Sequence, residues 1–194
     1  MHPTVLAGYE AQMARSVEAL RNNDTVVFNV AMWGGGVSGM LVDMLVLSRG
    51  TVNIDVTDPD GAEPVVDYRA LSNPLDKAIV ADMHRYMRRF HFNNDRTAGW
   101  GAIELKPGRG TESEAEWEAW MAQNLSPTAF HAAGTCSMLP RALGGVVDER
   151  LRVYGTQRLR VVDASVMPHV PSVNICQTVY AVAEKAADMI KAGV

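Results

Sequence analysis

Cysteine is scarce: Cys136 and Cys176 are the only two in 194 residues. Two thiols cannot build a disulfide framework or a four-thiolate zinc cluster. They are expected to be unpaired and buried, and sequence alone does not test whether they bond to each other. Positive charge is in deficit, with 18 Lys and Arg against 22 Asp and Glu and a formal net charge of −4. A nucleic acid or an anionic membrane surface needs a positive field that this sum does not supply, so neither is expected as a partner. Long apolar runs are missing too. The longest, residues 37–47, is broken by Ser38 and Asp43 and falls well short of the roughly 20 residues that span a bilayer. The first twenty residues have no basic stretch followed by an unbroken apolar one, so no secretory signal is expected in this chain. His84 and His91 lack a carboxylate or third ligand at useful spacing, which excludes a metal site there and leaves two surface histidines. Internal repeats and low-complexity tracts are absent.

What is present is the balance of an ordinary folded protein, 47% apolar and 21% charged. Apolar spacing (Met13, Val17, Leu20) predicts a first helix over residues 9–20. Residues 25–30 and 50–56, rich in β-branched side chains, read as strands; Asp58-Pro59-Asp60-Gly61 is a turn signal, and residues 64–68 read as a short return strand. Asn73 as cap and Pro74 at the first helical position open a second helix, running to about residue 90 with Arg85, Arg88 and Arg89 complementing its negative end. Residues 91–110 read as loop with one strand at 102–105. A third helix is expected from Thr111, because Thr111 and Glu114 have capping-box spacing; Trp117 and Trp120 on it are assigned to the core. A strand at 159–162 and a final helix over residues 177–191, burying Val179, Tyr180, Ala183 and Met189, complete the reading. His169 reads as a solvated loop residue.

Gly34-Gly35-Gly36-Val37-Ser38-Gly39 matches the G-x-G-x-x-G pattern whose backbone cradles a pyrophosphate, with Asp55 about 20 residues on to take a ribose hydroxyl. Two features argue against it. The Ala31-Met32-Trp33 approach puts a large indole at the tight turn, and no repeating βαβ pattern follows to build a parallel sheet. The segment is read instead as a Gly-rich loop leading into a buried stretch.

The densest signal lies at the other end: His131-Ala132-Ala133-Gly134-Thr135-Cys136-Ser137-Met138, then Gly144-Gly145-Val146-Val147-Asp148, then Leu159-Arg160-Val161-Val162-Asp163-Ala164-Ser165. Met167-Pro168, Pro171-Ser172-Val173-Asn174 and residues 183–190 continue it. Together they closely resemble the C-terminal signature of the glucose-methanol-choline oxidoreductases over roughly the last 65 residues. A weaker match upstream joins Ser48-Arg49-Gly50-Thr51-Val52, Asp58-Pro59-Asp60 and residues 68–76. In that family the Gly-rich nucleotide loop lies far ahead of the Ser-Arg-Gly strand, which removes Gly34 to Gly39 from that role.

The resemblance implies an α+β chain: a partial substrate-binding domain with an antiparallel sheet and helices over residues 1–127, and the C-terminal part of an FAD-binding domain over 128–194, with a soft boundary near Ser126-Pro127. It implies FAD as cofactor and a small alcohol or sugar as substrate. It further implies a second chain or segment carrying the N-terminal FAD-binding half. By resemblance His131 takes the hydroxyl proton, a task suited to an imidazole whose ordinary pKa lies near 6.5, and Asn174 hydrogen-bonds the same oxygen. Phe130, Asp163, Ala164, Ile175, Cys176 and Gln177 are the implied cofactor contacts, the last three through backbone at the start of the final helix. A hydroxynitrile lyase of the same family and a non-catalytic remnant domain stay open as alternatives. The resemblance allows an extracellular setting; the residues assign none.

Overall fold

His2, Pro3 and the residues after them form the first helix, α1 (Pro3–Leu20), in the computed structural model of the chain, which describes residues 2–32, 39–61 and 63–193. It starts six residues before the predicted onset because Pro3 fixes the first helical φ. The His2 ring nitrogen accepts from the Thr4 amide at 3.3 Å, a cap that histidine rarely provides. Gly8 lies against a 3-10 turn at Arg141–Leu143: a Cβ there would sit 2.1 Å from the Leu143 carbonyl oxygen, so only glycine permits this approach.

Four helices and two small antiparallel sheets give an α+β chain among the described residues. Two compact units divide it: Met1–Val26, Thr51–Asp67 and Thr128–Val194 form one, Val27–Gly50 and Tyr68–Pro127 the other. Neither unit is a single run of the sequence. The α1 segment packs on the Arg141–Leu143 turn and groups with the C-terminal segment, as do residues 51–67.

In the second unit β1 (Phe28–Met32) and β2 (Gly39–Asp43) pair antiparallel, with Phe28 opposite Asp43. Residues 33–38, which hold most of the G-x-G-x-x-G match, lie outside the described ones. The match is nonetheless followed by a strand returning along β1 rather than by a helix, so the strand-turn-helix unit of a dinucleotide fingerprint is not formed. Asp55 accepts from the Thr57 amide and hydroxyl at 2.8 and 2.6 Å in a local turn.

Helix α2 (Pro74–Phe92) starts where the sequence predicts, with the Asn73 side chain accepting from Leu75 N. Its Asp76 is 1% exposed. The carboxylate accepts from Leu47 N at 2.9 Å, Ser48 N at 2.7 Å and the Ser48 hydroxyl, and that hydroxyl accepts from Asn73 N at 3.0 Å. Helix α3 (Glu114–Asn124) is capped two residues later than predicted: Ser113, not Thr111, closes the capping box, with Glu116 as its reciprocal partner. Both readings satisfy the sequence spacing, and the loop before the helix decides between them.

The core of this unit is Val80, Ala81, Met83, Trp117 and Met121. His84 is not on the surface: it packs against Trp117 and Trp120 at ring-centroid distances of 5.3 and 5.2 Å, and its Nδ1–H donates to Val80 O. Burial, chiefly, holds its pKa below the ordinary value. Arg85 and Arg88 are also spent otherwise than predicted. Arg85 pairs with Asp82 and Glu114. Arg88 pairs with Glu104 at 2.9 Å, donates to the Thr111 and Gly108 carbonyls, and covers the Trp117 ring at 4.8 Å. This clasp holds residues 104–111 as ordered loop; no strand forms at 102–105.

In the first unit β3 (Thr51–Asn53) and β4 (Val65–Asp67) pair antiparallel, shorter than the predicted strands but joined by the predicted turn, where Gly61 N donates to Asp58 O at 3.0 Å. Residues 128–175 are irregular, cross-linked by single bridges at Met138–Val147, Val147–Val153 and Arg152–Arg160. The strand predicted at 159–162 is one such bridge. Val147, Leu151, Val166 and Ala186 form the core beneath them. Ala186 belongs to α4 (Cys176–Lys191), which turns Val182 and Ala186 inward. Tyr180 and Ala183, predicted to be buried, face outward instead.

Candidate functional site

Residues 131–138 are held from behind. Gly134 has φ +89°, and a Cβ on it would lie 3.3 Å from Met167 O, so the chain passes close against the 167–168 turn. Ser137 Oγ donates to Gly134 O at 2.6 Å. Cys136 N and Met138 N donate to Ser165 O and Val166 O at 2.9 and 2.8 Å, which fixes this segment alongside the 3-10 turn Ala164–Val166. Asp163 caps that turn by accepting from Ser165 N. The Ser165 hydroxyl donates to the same carboxylate oxygen at 2.5 Å, and Asp163 is exposed.

At the head of this frame His131 meets Asn174. His131 Nε2–H donates to Asn174 Oδ1 at 3.1 Å across 43 residues of sequence. The frame above fixes the first partner, and the entry to α4 fixes the second. His131 Nδ1 is buried with no hydrogen-bond partner among the described residues. In this tautomer Nε2 carries the ring hydrogen. Moving it to Nδ1 and turning the Asn174 amide over would make Nε2 an acceptor and Nδ2 a donor, the arrangement a base needs.

Phe130 precedes His131 with φ +62°, left-handed backbone that a bulky residue adopts at a cost of order 1–3 kcal/mol. The Thr128 hydroxyl accepts from its amide at 2.9 Å, and the ring is 92% exposed. The start of α4 is bare: Ile175 at the cap makes no side-chain bond, and no acidic residue occupies the first turn. Ile175 itself is buried, while Cys176 and Gln177 are exposed. Cys136 is half-buried and both cysteines are free, so Cys176 departs from the expected burial. Two hollows of about 500 Å³, one lined by Tyr86, Arg89 and Phe90 and one by Leu71, Lys77 and Met121, include neither His131 nor Asn174.

The sequence model of the GMC oxidoreductases matches residues 46–183, which takes in both halves of this pair. The chain belongs to the GMC oxidoreductases. Among its GMC relatives, a dehydrogenase of Emericella nidulans is 36% identical over 192 residues, covering 98% of this chain and 30% of that protein. A GMC oxidoreductase family protein of Malassezia sympodialis is 38% identical over 144 residues, 74% of this chain and 23% of its own. An FAD-dependent oxidoreductase from Chaetomium thermophilum superposes with a TM-score of 0.90 at 36% identity, covering 99% of this chain and 32% of that one. A fungal aryl-alcohol oxidase does so with 0.85 at 35% identity, covering 97% and 31%. The chain thus spans about a third of the length of the proteins it matches.

The residues present fit the cofactor of those GMC neighbours. A helix start with unspent N–H groups suits an electron-rich ring edge, an aromatic ring standing in solvent suits a planar partner, and a buried unpaired ring nitrogen suits a site that further groups complete. The sequence did not disclose the orphaned Nδ1 or the bare cap of α4. The absence of Ser, Thr, Asp or Glu from residues 175–178 apart from Thr178 was the available signal for the second.

Proposed function

We propose that this chain supplies the proton-handling part of an FAD-dependent oxidoreductase that converts an alcohol or sugar CH–OH to a carbonyl. The observation that carries the reading is the 3.1 Å approach of His131 Nε2 to Asn174 Oδ1. Two polar atoms this close can both reach a single substrate oxygen, one as base and one as hydrogen-bonding guide. Oxidation of the carbinol removes the hydroxyl proton and a hydride from carbon. FAD, when bound, supplies the acceptor for that hydride.

His131 takes the hydroxyl proton at Nε2, and the O–H electron pair becomes the second bond of the carbonyl. Asn174, which does not titrate, orients the oxygen throughout. Phe130 and the backbone of Asp163, Ala164, Ile175, Cys176 and Gln177 hold FAD, the amides opening α4 offering donors to whatever negative charge the reduced ring carries. The complementary FAD-binding part comes from another segment or chain, in keeping with the third of its relatives' length that this chain spans. An alcohol substrate is favoured by the aryl-alcohol oxidase among the structural neighbours.

The test is anaerobic addition of primary aromatic and aliphatic alcohols and of sugars to the assembled flavoprotein. Bleaching of the flavin's visible band is expected. An assembled, yellow protein that no hydroxyl compound bleaches would overturn the proposal and favour a redox-silent flavin, as in a lyase.

A further inference from the structure

Two asparagines stand two residues ahead of a serine or threonine with no proline between: Asn23 in Asn23-Asp24-Thr25 and Asn124 in Asn124-Leu125-Ser126. This spacing is the acceptor pattern for N-linked sugar. The hydroxyl two residues on has to come back toward the asparagine amide, so the segment must turn. The amide nitrogen must also stand clear of the fold, because a glycan is bulky and polar.

The structure separates the two. Residues 22–25 form a tight turn just after α1: Thr25 N donates to Asn22 O at 3.3 Å, and Asn22 Oδ1 accepts from Asp24 N at 3.0 Å. Asn22 holds the turn, and Asn23 is left over at its outer side. The Asn23 side chain is exposed and makes no hydrogen bond among the described residues. Leu20 and Val26, the large apolar residues on either side of the turn, are exposed as well. Asn124 is placed otherwise. It ends α3, its Nδ2–H donates to Trp120 O at 2.9 Å, and Leu125 beside it packs on the core around Trp117 and Met121. Pro127 follows Ser126 and favours extended backbone there, which opposes the turn that transfer needs.

We propose that Asn23 carries an N-linked glycan and that Asn124 does not. In the transfer Asn23 Nδ2 bonds to the anomeric carbon of an oligosaccharide carried on a lipid pyrophosphate. The carbon–oxygen bond to the pyrophosphate breaks as the nitrogen–carbon bond forms. The lipid pyrophosphate leaves with that electron pair, one amide proton passes to a base of the transferase, and nothing is oxidised or reduced. The fold gives up no hydrogen bond, since the Asn23 amide makes none, and the sugar covers Leu20 and Val26. The transferase works in the secretory lumen, so the glycan also places the enzyme on that route.

The experiment takes the full-length enzyme from the organism that makes it and weighs its peptides before and after peptide-N-glycosidase treatment in heavy-oxygen water. Expected is a peptide spanning Asn23 that carries hexose and N-acetylhexosamine mass and that the amidase converts to one with a labelled aspartate in place of Asn23. The peptide spanning Asn124 is expected unmodified. An unmodified Asn23 peptide, or sugar on Asn124, overturns the proposal. In the same enzyme expressed through a eukaryotic secretory route, Asn23→Gln and Thr25→Ala are each expected to remove the sugar completely. Thr25→Ser is expected to keep it and Ser126→Ala to leave it unchanged. Sugar that survives Asn23→Gln, or that is lost with Ser126→Ala, also overturns the proposal.

Discussion

Truncating His131 to alanine in the assembled flavoprotein is expected to slow anaerobic flavin reduction by about 10²- to 10⁴-fold, the range for loss of a general base; an unchanged rate in stopped flow removes His131 from the mechanism. Two other residues predict how stability responds to pH, with opposite signs. Burial against Trp117 and Trp120, chiefly, disfavours the charged form of His84, so its folded pKa lies below the unfolded 6.5. Its contribution is complete above that value and is lost as pH falls through it, because the unfolded chain takes the proton first. Asp43 behaves the other way. Burial, opposed by the Leu45 amide and reinforced by the Asp76 charge, pushes its pKa up to about 6 from 3.8. Between those values the folded chain keeps a proton that the unfolded chain releases, so stability falls as pH rises, by at most about 3 kcal/mol. Asp43→Asn is expected to raise stability at pH 7 by up to that amount and to leave it unchanged near pH 3, as read from urea unfolding at the two pH values. His131 could be singled out as a candidate because its motif neighbours are contiguous. Asp43 and His84 were not, since burial is decided by what packs over a residue and not by its type.

Caps and pins decide the elements. Ser113→Ala is expected to cost about 1 kcal/mol and Thr111→Ala almost nothing, which separates the observed capping box from the one predicted two residues earlier. Asp76→Ala is expected to cost about 3 kcal/mol or more, because it strands Leu47 N, Ser48 N and the Ser48 hydroxyl in a buried place. Thermal unfolding of the paired variants measures both. The helix starting at Asn73-Pro74 is legible in the sequence, since cap and proline act within a single turn. The onset of α1 is not, because its cap is a histidine. The strands at 102–105 and 159–162 failed for a different reason: β-propensity describes a half-buried pleated surface, and Glu104 is instead drawn to Arg88 while Arg160 pairs with Arg152 in an isolated bridge.

For the whole molecule, surface is the informative quantity. The isolated chain is expected to bind an apolar fluorescent dye, because Tyr180 and Ile190 on α4 are exposed at 70% and 56%; dye fluorescence no higher than in buffer would count against an uncovered apolar face. The unit division follows the same logic of contact. Residues 1–26 and 51–67 group with the C-terminal segment although 60 or more residues separate them, and for the first of these Gly8 and Gly144 let α1 approach the turn at Arg141–Leu143. The sequence by itself determined the family, the helix starts carried by local caps, and the identity of the His131 and Asn174 candidates, all of which rest on residues close in the chain or on a contiguous motif. The tertiary structure alone decided that those two side chains lie 3.1 Å apart, that α4 turns one apolar stripe inward and leaves another outward, that Asp76 is buried and that His84 is half-buried against Trp117 and Trp120. Proximity across 43 residues and burial under distant segments depend on how the chain packs, and no local pattern encodes them.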